Sequence, residues 1–327
     1  MTAGASTTGP RVSVVVPVRD RRELLADLLA ALDLQTWRDF EVIVVDDGST
    51  DGSGEMAEAI ACAGRPLHVI RTPGVGAVAA RSLGVDRAQG DVLAFTDSDC
   101  RPDPEWLAAG VAAIDRGADL VAGPTLPQRP PRRSERTVWI DHDDGLYATC
   151  NVLYRRAAFD AAGGFDARAS RRYGFRHGPK LRGLGFGEDT LLAWRVRRRG
   201  QHVFDPAVVV RHHVFEADHR EALRRAWIAG GFCGLVRDVP ELRSTLGLRG
   251  GVILGAPTRL PLYVVVLALA SRRRRLAAAL AGLWALSIAR PIAEDGDLTF
   301  VPTALAADAV TAVALALGSM RSGTILL

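Results

Sequence analysis

Four short apolar runs, each separated from the next by a segment of helical character, limit this chain to a narrow set of folds. The runs are Val12–Val16, Val42–Val45, Leu67–Ile70 and Val92–Phe95. They are nearly continuous rather than alternating, as expected for strands covered on both faces. Between the first two, Leu24, Leu25, Leu28, Leu29 and Leu32 recur at helical spacing, and Ala77–Ala88 reads as a helix before the fourth run. Strand and helix alternating in this way predict an α/β domain built on a mostly parallel sheet with helices on both faces. Right-handed crossovers then bring the loops that follow the strands to one edge, where open α/β sheets bind their ligands. Three of those loops are polar: Pro17–Asp20, Asp46–Ser53 and Asp97–Asp99.

The third loop is the most telling. The run Val92–Phe95 ends in Asp97 and Asp99, one residue apart. On an extended backbone residues i and i+2 share a face, so both carboxylates are expected to aim at one point beyond the strand. Paired hard oxygen ligands suit a Mg²⁺ or Mn²⁺ that also holds a diphosphate. An acidic turn exposed to water would show the same three residues. The second loop, Asp46-Asp47-Gly48-Ser49, offers acceptors for a base N–H or a ribose hydroxyl, and the same residue types cap helices.

Taken together and in order, Val15-Val16-Pro17-Val18-Arg19-Asp20, Val45-Asp46-Asp47-Gly48-Ser49-Thr50-Asp51-Gly52-Ser53, Phe95-Thr96-Asp97-Ser98-Asp99-Cys100 and Gly187-Glu188-Asp189 resemble glycosyltransferase family 2, over roughly residues 11 to 235. The resemblance implies a GT-A, Rossmann-like fold and a nucleotide-sugar donor, UDP-linked by default, bound through Mg²⁺ or Mn²⁺. It implies that the loops holding Pro17, Val18 and Arg19 and holding Asp46 and Asp47 bind the nucleoside. Asp47 would accept from the base, with Asp46 supporting it. Asp97 and Ser98 would meet the donor, Asp97 through the ribose or a metal-bound water, and Asp99 would bind the metal itself. Arg81 stands where the family has an Arg-Asn pair bordering the diphosphate; here the pair is Arg81-Ser82.

In the second half, Ala148–Arg156 resembles the segment leading into the acceptor side. Asp189 matches the general base of an inverting, single-displacement transfer, and Glu188 would position the acceptor or share the proton. Carboxylates in the first turn of any helix are favoured by its dipole, which is the structural alternative for both. His212 best matches a histidine that completes the metal site or contacts the diphosphate, with His213 as the second choice. Gly163-Gly164 permit a close backbone approach.

Composition bounds the rest. The formal net charge is +4 over 327 residues, and Lys180 is the only lysine among 41 basic residues. No nucleic-acid-binding motif accompanies the arginines, so nucleic acid is not expected as a partner. Cys62, Cys100, Cys150 and Cys233 are far apart in the sequence and read as free thiols rather than a disulfide or zinc set. Residues 1–10 are small and polar, without the apolar core of a secretory signal, and are expected to be disordered. A catalytic domain is expected over residues 11–240, divided into a donor half (11–123) and an acceptor half (124–240). The basic, aromatic stretch 167–186 would sit as an insertion near the site.

Residues 241–327 change character. The apolar blocks Gly251–Ala270, Leu276–Ala289 and Val301–Gly318 flank Arg272-Arg273-Arg274-Arg275. The second block is short for a bilayer crossing and the third contains Asp308, so membrane-associated or re-entrant helices are favoured over spanning ones, and over a helical extension packed on the catalytic domain or a second copy. Arginines beside apolar helices favour the cytoplasmic face of a bacterial membrane. The expected activity is transfer of a sugar to a glycolipid or cell-surface glycan. A processive polysaccharide synthase is the first alternative; its Gln-x-x-Arg-Trp segment is matched only by Arg224-Arg225-Ala226-Trp227. A non-catalytic scaffold of the same fold is the second.

Overall fold

The apolar runs assemble into one half of a seven-stranded sheet. In this computed structural model residues 9–60, 67–166, 168, 173, 186–246, 252 and 259–327 are described. The disorder expected of residues 1–10 falls almost wholly outside them, as does most of the basic stretch 167–186. Chain contacts divide the molecule into two units, the first comprising Met1–Gln128, Val138–Ala167 and Glu188–His213, the second Arg129–Thr137, Arg168–Gly187 and Val214–Leu327.

The first unit runs β1 (Val12–Val18), α1 (Arg22–Asp33), β2 (Phe40–Asp46), α2 (Ser53–Ala59), β3 (Leu67–Arg71), α3 (Ala77–Arg87), β4 (Val92–Phe95), β5 (Cys100–Pro102), α4 (Trp106–Asp115), β6 (Leu120–Ala122) and β7 (Thr125–Pro127). It continues with β8 (Val152–Arg155), α5 (Arg156–Ala161), α6 (Glu188–Arg197), β9 (His202–Phe204) and β10 (Val210–His212). The main sheet has the order β3-β2-β1-β4-β8-β6-β9. The pairs β3–β2, β2–β1, β1–β4 and β6–β9 are parallel, while β8 runs antiparallel to both β4 and β6. The sheet is therefore mostly parallel, as the alternation of elements implies.

The register of β1 on β2 places Val18 opposite Asp46 and Val12 opposite Phe40. It thereby aligns the polar loops after both strands at one edge. Val12, Val14, Val16, Val42, Val44, Leu25, Leu28, Leu29 and Leu32 share one fully buried core, so α1 covers one face of this half. The opposite face takes α3. Gly84 makes that contact close: a Cβ there would come within 2.5 Å of Val15 Cγ1. At the other end of the strands, buried Glu41 accepts from Ser13 Oγ at 2.6 Å and from the Gln89 backbone N–H at 2.7 Å. Gly90 N–H donates to Ser13 Oγ at 2.8 Å. This satisfies polar groups that burial would otherwise penalise and ties the start of β4 to β1 and β2.

A second sheet of three short strands, ordered β5-β10-β7, leads from the end of β4. Its β5 and β10 are antiparallel, with Cys100 opposite His212. Between β4 and β5 the chain turns: the Cys100 N–H donates to the Asp97 carbonyl at 3.0 Å. The extended geometry expected for Asp97–Asp99 is thus replaced by a tight turn. The physical reason is that the chain leaves the main sheet here and must reverse towards β10.

The second unit consists of α7 (His219–Ile228), α8 (Phe232–Asp238), α9 (Leu242–Thr245), α10 (Leu260–Ala270), α11 (Arg274–Glu294) and α12 (Val301–Ser322), joined by Arg129–Thr137. Helix α12 packs along α7 and α8. At Gly318 a Cβ would lie 2.2 Å from the Gly230 carbonyl oxygen, so only glycine permits that approach. Tyr173 is buried here, and its hydroxyl donates to Asp238 at 2.6 Å. Asp308 accepts from Trp284 Nε1 at 2.8 Å and lies 3.4 Å from Arg259 Nη1.

The apolar block Leu276–Ala289 is not short in the folded chain. It lies within the 21 residues of α11, which runs on through Pro291. Both Arg274–Glu294 and Leu298–Ser322 are long and apolar enough to cross a membrane, with mean hydropathies of 1.6 and 1.8. On α10 and α11, Val264, Val266, Leu267, Leu269, Leu276, Leu283 and Leu286 are exposed.

Candidate active site

The residues singled out from the sequence lie on the loops and strand ends at the carboxyl edge of the first unit. The turn after β4 sends Asp97 and Asp99 to different neighbours. Asp97 Oδ1 accepts from Arg81 Nη2 at 2.6 Å. Asp99 Oδ1 lies 3.6 Å from His212 Nε2. His212 is nearly buried, and its Nδ1 sits 2.7 Å from the His213 carbonyl oxygen. Nδ1 also faces the Val138 N–H at 3.4 Å, so backbone groups fix the ring with Nε2 turned towards Asp99. That arrangement, in which the second ring nitrogen is fixed by backbone groups, is typical of metal-binding histidine. His213 meets Asp99 through its backbone, its N–H donating to the Asp99 carbonyl at 2.9 Å.

Asp99 also shows what its surroundings lack. Burial and the neighbouring Asp97 charge both push its carboxyl above the usual range, and His212 and Arg21 only partly offset them. A cation at this point would remove that penalty. Asp99, Cys100 and His212 offer ligand atoms that all lie within 4.8 Å of one another. The Asp99 carboxylate and the His212 imidazole are oxygen and nitrogen donors that fit Mg²⁺ or Mn²⁺.

Arg81 links this corner to the start of α6. Sitting on α3, it is almost wholly buried. Its Nη2 holds Asp97, and its Nη1 is 3.9 Å from Glu188 Oε1. The remaining polar atoms, Arg81 Nε and Glu188 Oε2, are buried without a hydrogen-bond partner. Unpaired polar atoms in a protein interior are rare and call for an explanation; here two of them flank the same cluster. Arg81, placed by sequence beside a diphosphate, thus bridges two carboxylates.

Glu188 and Asp189 open α6, as the Gly-Glu-Asp pattern implies. Asp189 Oδ1 accepts from the Thr190 N–H at 2.8 Å. Burial raises the Asp189 carboxyl to about 7, and the adjacent Glu188 charge adds to the shift. Burial raises Glu188 as well, against the pull of Arg81. A carboxylate poised near neutrality is suited to taking a proton from a substrate and releasing it to solvent.

The other two loops form a separate network at the ends of β1 and β2. Asp46 Oδ1 accepts from the Ser49 N–H at 2.9 Å. Asp47 accepts from Thr72 Oγ1 at 2.5 Å, from the Val75 N–H at 2.6 Å and from the Gly76 N–H at 2.8 Å. These bonds hold its carboxyl below the usual range against the opposing effect of burial. Asp47 therefore fastens the loop between β3 and α3. Its N–H donates to the Val18 carbonyl at 2.8 Å. Pro17 lies within β1 opposite Val45, Val18 is buried, and Arg19 is exposed beside Gly74. Asp20, at φ +50°, receives the Thr50 N–H at 2.7 Å. Ser98 is buried in the β4–β5 turn.

Three contributors were not legible beforehand. Arg21, at the entrance to α1, exerts its charge on Asp99. Cys100 stands beside the Asp99–His212 pair. Tyr154 on β8 packs edge-on against Phe95 and Phe159, and its hydroxyl is fully buried without a partner. Only Cys100 had a visible signal, its position next to Asp99. The paired glycines Gly163 and Gly164 end α5 with positive φ, and Arg195 donates to the carbonyls of Ala162 and Gly164.

Comparison with known proteins places these features in context. Residues 13–163 match the model of the glycosyl transferase family 2. The glycosyltransferase AglE of Haloferax volcanii is 40% identical over 122 residues, which is 36% of this chain and 40% of that protein. The undecaprenyl-phosphate 4-deoxy-4-formamido-L-arabinose transferase of Pseudomonas fluorescens is 34% identical over 115 residues, 34% of each chain. The matched segments span two-fifths or less of these relatives. Among solved structures, the mannosyltransferase PcManGT from Pyrobaculum calidifontis, in complex with GDP-Man and Mn²⁺, superposes with a TM-score of 0.59 at 20% identity, covering 93% of this chain and 88% of that one. TarS of S. aureus, residues 1–349 in complex with UDP-GlcNAc, gives a TM-score of 0.51 at 17% identity, covering 96% and 92%. The shared fold is GT-A.

Proposed function

We propose that the protein, whose residues 13–163 match the glycosyl transferase family 2 model, is a metal-dependent, inverting glycosyltransferase. It moves a sugar from a nucleoside-diphosphate sugar, UDP-linked by preference, to a hydroxyl of a glycolipid or cell-surface glycan. The observation that carries this is the connected row Asp99, Asp97, Arg81, Glu188 and Asp189, in which a cation corner is tied by one buried arginine to a carboxyl with a pKa near neutrality.

Asp99 and His212 would hold the cation, with Asp97 beside them. Bound there, Mg²⁺ or Mn²⁺ supplies Lewis-acid neutralisation of the charge that grows on the leaving diphosphate. Asp189 takes the proton of the acceptor hydroxyl as its oxygen bonds to the anomeric carbon. The bond from that carbon to the diphosphate breaks, and the nucleoside diphosphate leaves with the electron pair. One displacement from the face opposite the leaving group inverts the centre, and no covalent sugar–enzyme species forms. Arg81 keeps Asp97 and Glu188 at fixed separation. Asp47, by clamping Val75 and Gly76, shapes the wall on which the nucleoside would rest.

The donor class draws support from PcManGT and TarS, whose structures hold GDP-Man with Mn²⁺ and UDP-GlcNAc. A lipid-linked acceptor is supported by the undecaprenyl-phosphate transferase among the relatives. Association with the cytoplasmic face of a membrane is supported by the exposed apolar residues of α10 and α11 and by Arg272–Arg275 between them.

The test is a panel of UDP-, GDP- and dTDP-sugars incubated with the full chain, with and without Mn²⁺. Release of nucleoside diphosphate from at least one donor, abolished by chelation, is expected. Failure to turn over or bind any of them would overturn the proposal.

A further inference from the structure

The sequence motif at the cation corner has a component that transfer to a sugar acceptor does not use. Cys100 follows Asp99 directly, and the antiparallel register of β5 on β10 sets it opposite His212. Directly opposed residues of paired strands project on the same face. The Cys100 sulfur is 3.9 Å from Asp99 Oδ1, Asp99 Oδ1 is 3.6 Å from His212 Nε2, and the three ligand atoms lie within 4.8 Å of one another. In a tetrahedral site with zinc–ligand bonds of about 2.0–2.3 Å, neighbouring ligand atoms are separated by about 3.3–3.8 Å. Contraction from the observed spacing amounts to about 1.5 Å at most, which rotation of side chains can supply. His212 Nδ1 is held among the backbone groups of Val138 and His213, so the ring already presents Nε2 to Asp99.

Carboxylate and imidazole oxygen and nitrogen ligands accept Mg²⁺ and Mn²⁺, whereas a thiolate selects for softer ions. We propose that Asp99, Cys100 and His212 also form a zinc site, which competes with Mg²⁺ or Mn²⁺ and holds the enzyme off. Bound there, zinc would take the place of the proton on the buried Cys100 sulfur, the proton leaving to solvent as the metal–sulfur bond forms. A water or the Asp97 carboxylate completes the fourth position. Nothing is oxidised or reduced, and a thiol-independent chelator reverses the state. The inference deepens the assignment of Asp99 and His212 to the catalytic cation, and its test reads the metal–sulfur bond rather than turnover. Failure of one is therefore distinguishable from failure of the other.

The full chain, reduced and metal-free, is titrated with Co²⁺ as a spectroscopic substitute for zinc. A sulfur-to-cobalt charge-transfer band in the near ultraviolet is expected at one equivalent, and Zn²⁺ should bleach it. Cys100→Ser should remove the band, while Cys233→Ser, in the second unit, should retain it. X-ray absorption at the zinc edge of the wild-type protein gives a reading independent of any variant's folding: a sulfur scatterer at about 2.3 Å is expected. A shell of nitrogen and oxygen alone, or a charge-transfer band that survives Cys100→Ser in a folded protein, would overturn the proposal.

Discussion

Asp189→Asn is expected to lower sugar transfer by about 10²–10⁴-fold, the usual contribution of a positioned general base, while leaving nucleoside-diphosphate affinity within about twofold. Asn keeps the size of the side chain and its acceptance of the Thr190 N–H. It cannot take a proton. The pH dependence of the wild type should report the same group. Burial and Glu188 raise the Asp189 carboxyl to about 7. The base works only when ionised, so kcat/KM should rise with pH through about 7 and flatten above it. In the variant this limb should vanish. Steady-state kinetics from pH 5.5 to 9 and calorimetric titration with UDP check both halves; a variant that turns over at the wild-type rate would remove Asp189 from the role.

Asp99→Asn should act on the other side of the transferred sugar. It removes the carboxylate nearest His212 Nε2 and should weaken Mn²⁺-supported binding of a nucleoside diphosphate by about 100-fold or more, since even groups that merely orient a metal ligand contribute 10–100-fold. Its effect on stability has the opposite sign. Ionised Asp99 is buried and faces the Asp97 charge, which raises its carboxyl above the usual range. A group whose folded pKa is raised loses stability as pH rises past its unfolded value. Neutral Asn escapes that loss, so at neutral pH the metal-free variant should melt no lower than the wild type. Only the wild type should gain when Mn²⁺ and UDP are added together, by about 2.7 kcal/mol at 100 times Kd. Thermal melts in the four conditions separate the two effects.

What the chain discloses in advance follows from which interactions are local. The strands β1 to β4 were readable because a strand covered on both faces must be continuously apolar, and α1 because its leucines repeat with the helix period. Glu188 and Asp189 were readable at the start of α6 because the Gly187-Glu188-Asp189 pattern resembles the family's and carboxylates favour a helix's first turn. Contacts that depend on the sheets were not. The insertion of β8 between β4 and β6 in antiparallel sense leaves no mark, since Val152–Arg155 reads alike in either direction. The turn at Asp97–Cys100 was taken for extended chain because its cause, the pairing of Cys100 with His212, joins residues more than a hundred positions apart.

Arg81 illustrates the same limit. The resemblance places it beside a diphosphate; within the chain its partners, Asp97 and Glu188, come from β4's turn and α6. Cys100 and Cys150, remote in sequence, are buried in one hydrophobic core. In the helical unit, Leu276–Ala289 taken by itself is short for a bilayer crossing. Helix α11 continues through Pro291 to Glu294.

The central claim is that Asp99 and His212 hold one cation next to the phosphates of a nucleotide donor. Crystals grown with Mn²⁺ and UDP, measured at a wavelength where manganese scatters anomalously, test it directly. The expected result is a single anomalous peak bonded to the Asp99 carboxylate and His212 Nε2, with diphosphate oxygens completing its shell and Asp189 facing the vacated sugar position. Manganese bound elsewhere, or UDP seated without touching the metal, would contradict it.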